Sequence, residues 1–440
     1  MVTGMREMKD SGIDWVGKIP KDWDTTRIKY LPTGELNSFV DGDWIESPVI
    51  IESGIRYYTT GNVGDGVFKY QGDGFISEKT FDTLHCKYAY PGDLVISRLN
   101  APYGRSCIIP NEYDKCVLAV DIVILRTDAD KRYLCYVTQC SGYQSAVEDK
   151  AAGTTMKRIS RTNLGNVKLP FPPINVQCVI AAFLDSKCAE IDDLFADIQS
   201  EIETLEAYKR SVITEAVTKG LDKNAPMKDS GISWIGKVPQ NWPIYPLKYT
   251  FDFVAGATPD SSKADLWDGD VLWITPADYK TKDVYVSGGA RNLSDLGFKS
   301  CSTHLLPIGT IVVSKRAPIG SAAITTAPLC TNQGCLGLIQ KDKLTNGKYY
   351  YYVLSIYDEV LNLFGSGTTF KEISASVFGT VKVVNPSVAE QNAIVAYLDS
   401  KCAEIDSILA QKQEQLAVLA DYKKSIIYEY VTGKKEVPVA

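Results

Sequence analysis

Residues 8–23 read MKDSGIDWVGKIPKDW and residues 227–242 read MKDSGISWIGKVPQNW, identical at 11 of 16 positions at an offset of 219. A second pair, LDSKCAEID at 184–192 and again at 398–406, agrees at all nine positions at an offset of 214. Between them, Gly153-Thr154-Thr155 corresponds to Gly367-Thr368-Thr369, and Ala101-Pro102-Tyr103-Gly104 to Ala317-Pro318-Ile319-Gly320. Self-similarity at one long period makes the 440-residue chain a half written twice. Each half opens with the tryptophan- and glycine-bearing lead-in and passes through a strand-like region. Runs such as Asp93–Ser97 and Thr310–Ser314 are β-branched and bounded by Pro and Gly, as buried strands are.

Each half then ends in a helical pattern. Apolar residues recur at Ile180, Leu184, Cys188, Ile191 and Phe195 and continue to Val212 and Ala216 in steps of three and four, which traces one face of a helix. Shifting by 214 gives a matching stripe from Ile394 to Tyr430, broken only by Lys412. Pro172-Pro173 and Pro386 mark the starts, while Gly220 and Gly433 mark the ends, so each helix has about 44 residues and spans roughly 66 Å. Such a helix is too long to bury its stripe against a small module. Two stripes facing each other as an antiparallel coiled coil with pseudo-twofold symmetry is the economical arrangement. The expected fold class is α+β, with boundaries at 1–172 (first module), 173–220 (first helix), 221–385 (linker and second module) and 386–440 (second helix and tail).

Composition excludes several classes. No stretch approaches 18 consecutive apolar residues and the first residues lack an apolar run, which predicts a cytoplasmic protein without a membrane partner. The 11 cysteines form no C-x-x-C pair, and only two histidines are present, so neither a disulfide framework nor a zinc centre is expected. The formal charge of −6 sits wholly in the two helical segments, at −5 for 175–219 and −1 for 388–435. The rest holds 37 basic and 37 acidic residues, so net charge does not decide for or against a polyanionic partner. Gly365-Ser366-Gly367 is not followed by Gly-Lys-Ser/Thr, which argues against a nucleotide loop.

The lead-in D-S-G-x-x-W-x-G-x-x-P-x-x-W at Asp10–Trp23 and Asp229–Trp242, the Gly-Thr-Thr loops and the P-P-x-x-x-Q helix start occur twice in the same order. Together they resemble the DNA-specificity subunits of type I restriction-modification systems over essentially the whole chain. The first helix departs from the pattern with Val176-Gln177 where the second has Glu390-Gln391, and Ser387 replaces the second proline. The resemblance implies two target-recognition domains reading the halves of a bipartite, asymmetric DNA site. The helices would serve as a ruler and as the dock for two modification (methyltransferase) subunits, and through them for restriction subunits. It implies a non-catalytic chain with no bound cofactor. S-adenosylmethionine would belong to the methyltransferase partner, and ATP and Mg to the restriction partner. Consistent with that, no Asp/Asn-Pro-Pro-Tyr/Phe motif for adenine methylation appears.

Candidate contacts to double-stranded DNA follow from the donors and acceptors that base edges and phosphates require. In the first module they are Tyr58, Thr60 and Asn62, then Arg98, Asn100 and Arg105, and around the Gly-Thr-Thr loop Thr154, Lys157 and Arg158. In the second they are Thr275 and Lys280, Lys315 and Arg316, and Thr368 and Lys371. The plainer alternative is that the aromatics are core, the charges solvated, and the loops simple turns. In the duplicated nonapeptide, Asp185, Lys187 and Glu190 with Asp399, Lys401 and Glu404 are candidates for equivalent methyltransferase-docking surfaces, since a seam alone preserves only the stripe. Recent duplication is the competing explanation. The rival functions are a stand-alone or fused DNA methyltransferase or nuclease, and a scaffold that spaces protein-binding domains.

Overall fold

The computed structural model describes residues 6–153, 157–279, 284–316, 318–342, 345–365 and 371–438. The chain divides into two compact units: one of residues 1–198 with 414–440, the other of residues 199–413. Both are mixed helix and strand. In the first, the lead-in folds as an antiparallel hairpin, Met8–Asp10 on Lys18–Pro20, and Asp24–Arg27 pairs with Lys168–Phe171. The centre is a four-stranded antiparallel sheet ordered Phe39–Asp41, Ile122–Leu125, Leu94–Ser97, Ser106–Ile108. Beside it lies a three-stranded sheet with Ile55–Tyr58 between Phe75–Ile76 and Cys116–Leu118.

The second unit repeats the hairpin, Met227–Asp229 on Lys237–Pro239, and the short pair Ile244–Pro246 on Lys382–Val384. Its main sheet has five strands, ordered Phe251–Ala255, Cys335–Gln340, Ile311–Ser314, Ala322–Thr325, Tyr285–Val286. The expected buried strands are present as Leu94–Ser97 and Ile311–Ser314, with all four residues of each buried. A run that is apolar on both faces has no solvent side to offer, and both sheets place it in the middle.

The helical stripes fold as Ile174–Lys219, of 46 residues, and Val388–Val431, of 44. Within the first unit, Ile180, Leu184, Cys188 and Ile191 share a core with Ile426, Ile427, Tyr430 and Val431. There Phe183 meets Tyr430 with ring centroids 4.5 Å apart, and Lys423 reaches Asp192 at 2.5 Å. Within the second unit, Val212, Ile213, Ala216 and Val217 share a core with Ile394, Leu398 and Cys402, and Lys209 holds Asp406 at 2.6 Å. In each unit a rising number on one helix meets a falling number on the other, so the segments are antiparallel. Lys412, the break in the stripe, is ion-paired with Glu201 and thereby keeps its charge off the seam.

Each unit is sealed where a helix stops. Gly220 and Gly433 adopt left-handed φ of 76° and 69°, as a helix end followed by a turn prefers. A Cβ added to Gly220 would lie 3.1 Å from Trp242, and one on Gly433 would lie 3.1 Å from Trp23 and 2.4 Å from Pro20. Both tryptophans close a lead-in and are 1% exposed. Their indoles differ in one respect. Trp242 Nε1 donates to Glu390 at 3.0 Å, and Glu390 also closes a capping box with Ser387. The buried Trp23 Nε1 has no partner among the described residues, and Val176 stands where the repeat places Glu390. For Gly433→Ala we expect a loss of about 2–4 kcal/mol in urea unfolding, because left-handed strain adds to the clash with a buried proline. An unchanged midpoint would refute this account of the seal.

Candidate nucleic-acid interface

The structure takes four of the predicted DNA contacts into its framework. Arg98 is 2% exposed. Its guanidinium donates to the carbonyls of Val120 (2.7 Å) and Ile159 (3.1 Å) and is ion-paired with Asp41 at 3.0 Å and Asp121 at 3.5 Å. Arg105 donates from Nε to Val63 O at 2.6 Å, and from its terminal nitrogens to Thr60 O at 2.9 Å and Asn100 O at 2.8 Å. Burial lowers the pKa of both guanidiniums, with Asp41 opposing that for Arg98 and Asp65 for Arg105. Asn62 holds a turn, its amide donating to Lys69 O and Gln71 O while its carbonyl accepts from Thr59 N. Tyr58 is 2% exposed, packed edge-on to Phe68 and beneath Arg56. These four are corrections to the sequence reading: their polar groups are spent on backbone or buried against neighbours, so none is free to read a base edge.

Others remain at the surface. Asn100 is exposed with φ of +62°, at the tip of the loop that Arg105 grips from beneath. Arg158 is exposed and pairs with Asp121 at 3.0 Å, and its backbone bridges to Leu99 and Ala152. The structure therefore brings the 98–105 loop and the segment after the Gly-Thr-Thr loop side by side. Lys157 is exposed, 3.7 Å from Glu148, and Thr60 is half-buried. In the second unit Lys315 and Arg316 both hold Glu372 at 2.9 Å, and Arg316 bridges Glu372 through its backbone, so the corresponding segments again meet. Thr275 is a capping residue of the turn Pro276–Asp278, its hydroxyl accepting from Ala277 N and donating to Asp278. Lys371 is exposed. Thr154, Lys280 and Thr368 lie outside the described residues.

The duplicated nonapeptide has an internal role as well. Asp185 accepts from Arg132 and from the Tyr136 hydroxyl, each at 2.8 Å. Asp399 accepts from Lys348 at 2.8 Å and the Tyr352 hydroxyl at 2.7 Å. In both units this carboxylate fastens the long helix to a helix of its own module, Lys131–Gln139 or Gly347–Ser355. The helix-start glutamines repeat the device. Gln177 bonds Asp130 N and Pro172 O, and Gln391 bonds Asn346 N and Pro386 O. Lys187–Glu190 and Lys401–Glu404 are pairs three residues apart at 2.7 and 2.8 Å, each joining a half-buried lysine to an exposed glutamate.

Two features escaped the sequence reading. Tyr30 and Tyr249 are 69% and 64% exposed, and each lies under its preceding lysine, Lys29 or Lys248, at 5.1 and 5.5 Å. The offset of 219 that relates the lead-ins also relates these pairs, and that was the available signal. A cavity of about 590 Å³ in the second unit is lined by Trp242, Glu390, Pro239 and Gly220, where the helix ends, and gathers no nucleophile–base pair. Among the described residues, no cluster of three or more His, Cys, Asp or Glu is placed to hold a metal, and no helix is long and apolar enough to cross a membrane.

The profile of the type I restriction modification DNA specificity domain matches residues 20–204 and 239–417. The chain is 35% identical over 188 residues to the type I restriction enzyme MjaIX specificity subunit of Methanocaldococcus jannaschii, an alignment that spans 42% of either chain. It is 23% identical over 434 residues to the putative MjaX specificity subunit of the same organism, covering 96% of both. Among solved structures, a chain from a study of complex assembly and conformational transition of the type I R-M system superposes with a TM-score of 0.73 at 16% identity, covering 95% of this chain and 99% of that one. The HsdS subunit from Thermoanaerobacter tengcongensis gives 0.51 at 17% identity, covering 95% and 98%.

Removing the buried and exposed cation roles separately distinguishes framework from surface. Arg105→Gln should lower stability by about 2–4 kcal/mol, because five carbonyls of two loops lose their donor. Lys157→Gln should leave the unfolding midpoint within about 0.5 kcal/mol of the parent. Chemical denaturation of both variants checks the assignment, and equal losses would contradict it.

Proposed function

Because the chain belongs to the type I restriction-modification DNA specificity family, we propose that it reads a bipartite, asymmetric site in double-stranded DNA. Each unit contributes one half of that recognition. The observation that carries this reading is a shared scaffold bearing unlike faces. Hairpin, helix-start glutamine and helix-fastening carboxylate recur in both units, whereas the central sheets have four and five strands in different orders. A repeated mount with divergent surfaces suits two readers of different sequences. The long antiparallel helices form a pseudo-twofold coiled coil and fix the half-site spacing, as paired DNA-binding modules do.

Two modification subunits dock on the outward faces of the helices, where the half-buried Lys187 and Lys401 and the exposed Glu190 and Glu404 stand in equivalent positions. Asp185 and Asp399 serve that docking by holding the helix against its module. Restriction subunits join through the modification subunits in the cytoplasm. The chain itself is non-catalytic. S-adenosylmethionine-dependent methylation belongs to the modification partner, and ATP- and Mg-dependent steps belong to the restriction partner.

Methylation mapping of DNA from a host carrying this chain with its modification subunit should return a split motif, two fixed ends around an unspecified middle. Replacing exposed residues of one unit, Asn100 and Arg158 for instance, should alter one end of the motif and leave the other intact. A continuous motif, or methyl transfer by the purified chain alone, would sink the proposal. Lys187→Glu with Lys401→Glu should weaken co-purification of the modification subunit without lowering the melting temperature.

A further inference from the structure

In the first unit a cleft of about 310 Å³ is lined by Arg27, Lys150, Lys168, Asn166, Trp15 and Asp14, among others. Three cations face one carboxylate there, and they are poorly compensated. Arg27 makes a single long contact, 3.4 Å from Nη1 to Asn166 Oδ1, and Lys168 Nζ makes one of 3.4 Å to Gly12 O. Lys150 has no side-chain hydrogen bond or ion pair among the described residues. Most other arginines of this unit, Arg98, Arg126, Arg132, Arg158 and Arg161 included, are paired with carboxylates.

The arrangement works against stability. Arg27 and Lys168 are register partners across the antiparallel pair Asp24–Arg27 and Lys168–Phe171, and like charges directly opposite repel. The second unit does not repeat this: Pro246 stands opposite Lys382, and Ser233 replaces Asp14. The cleft also adjoins the candidate interface, because Asn163 bonds Lys150 O and Ala152, two residues on, bridges to Arg158. Cations that line one cleft, are weakly held and repel each other are relieved by an anion with several oxygens.

We propose that Arg27, Lys150 and Lys168 form a clamp for a phosphodiester of the DNA backbone, present in the first unit only. The clamp rests on the DNA-reading function and adds affinity and orientation without sequence preference. The test uses the full chain, or the complex with which it purifies, and a triple variant carrying Arg27→Gln, Lys150→Gln and Lys168→Gln. Duplex affinity is measured against salt on cognate and scrambled DNA. The slope of log affinity against log salt should fall by about 0.9, the share of the one phosphate that is no longer neutralised, alike on both duplexes. The melting temperature should hold or rise, because the cross-strand repulsion is gone.

An unchanged slope in a chain that still discriminates its duplex overturns the clamp alone. A parent that discriminates no duplex overturns the DNA-reading function together with the clamp. A fall in both melting temperature and affinity assigns the three residues a structural role and also overturns it. Saturable stabilisation of the parent by millimolar inorganic phosphate at fixed ionic strength, with the DNA slope unchanged in the variant, would place a free anion in the cleft instead of the backbone.

Discussion

Neither half of this chain completes a core with its own residues, and a buried tyrosine in each unit marks where the missing piece arrives. Tyr133 Oη lies 3.2 Å from Pro170 O on its own module and 3.0 Å from Val431 O at the end of the second long helix. Tyr349 Oη lies 3.4 Å from Val384 O and 3.1 Å from Val217 O at the end of the first. A buried hydroxyl without an acceptor costs more than its hydrogen bond returns, so these contacts tie each module to the helix terminus of the other half. The lead-in tryptophans enforce the same pairing sterically, through the glycines that end the helices. The conspicuous repeat at 8–23 and 227–242 is thus a receptor for a helix end, which explains why its tryptophan, glycine and proline positions persist while the residues between them vary.

Most of the architecture was legible because it depends on patterns one chain displays about itself. Periodicity located both long helices, and their observed starts and ends lie within a turn of the prolines and glycines that mark them. The surface was less legible, for a physical reason. Residue type announces that Arg98 and Arg105 carry donors, yet whether those donors are already spent depends on carbonyls far away in sequence, such as Val63 and Ile159. The duplicated nonapeptide likewise conceals its internal partners. Identity at Asp185 and Asp399 suggested an outside partner, whereas each aspartate also has a tyrosine hydroxyl and a cation of its own module to hold. A polar residue shared between repeats has to satisfy internal partners before it is available to external ones.

The departure at Val176 shows the converse, a sequence difference whose cost is readable only in three dimensions. Glu390 joins helix cap and lead-in by accepting from Ser387 and Trp242, and although burial alone would raise its pKa, these hydrogen bonds hold it below the ordinary glutamate range. Valine in the matching place leaves the Trp23 indole N–H without an acceptor among the described residues. The first unit therefore carries an unmet donor at its seal that the second has resolved, although the two lead-ins read almost alike.

Charge completes the division of labour within a unit. Arginines that organise loops are buried and have their charge met by aspartates or backbone carbonyls, which fixes loop shape whatever ionic strength surrounds the chain. Cations left over at the surface feel the solvent and its salt, and they can respond to a polyanion. A specificity chain requires both classes to remain separate. If the loop-forming arginines also bound DNA, every change of recognition sequence would perturb the fold. With the framework sealed beneath, the exposed Arg158 can vary while the loop beside it keeps its shape, whereas Asn100, at φ +62°, is confined to residues that tolerate left-handed backbone.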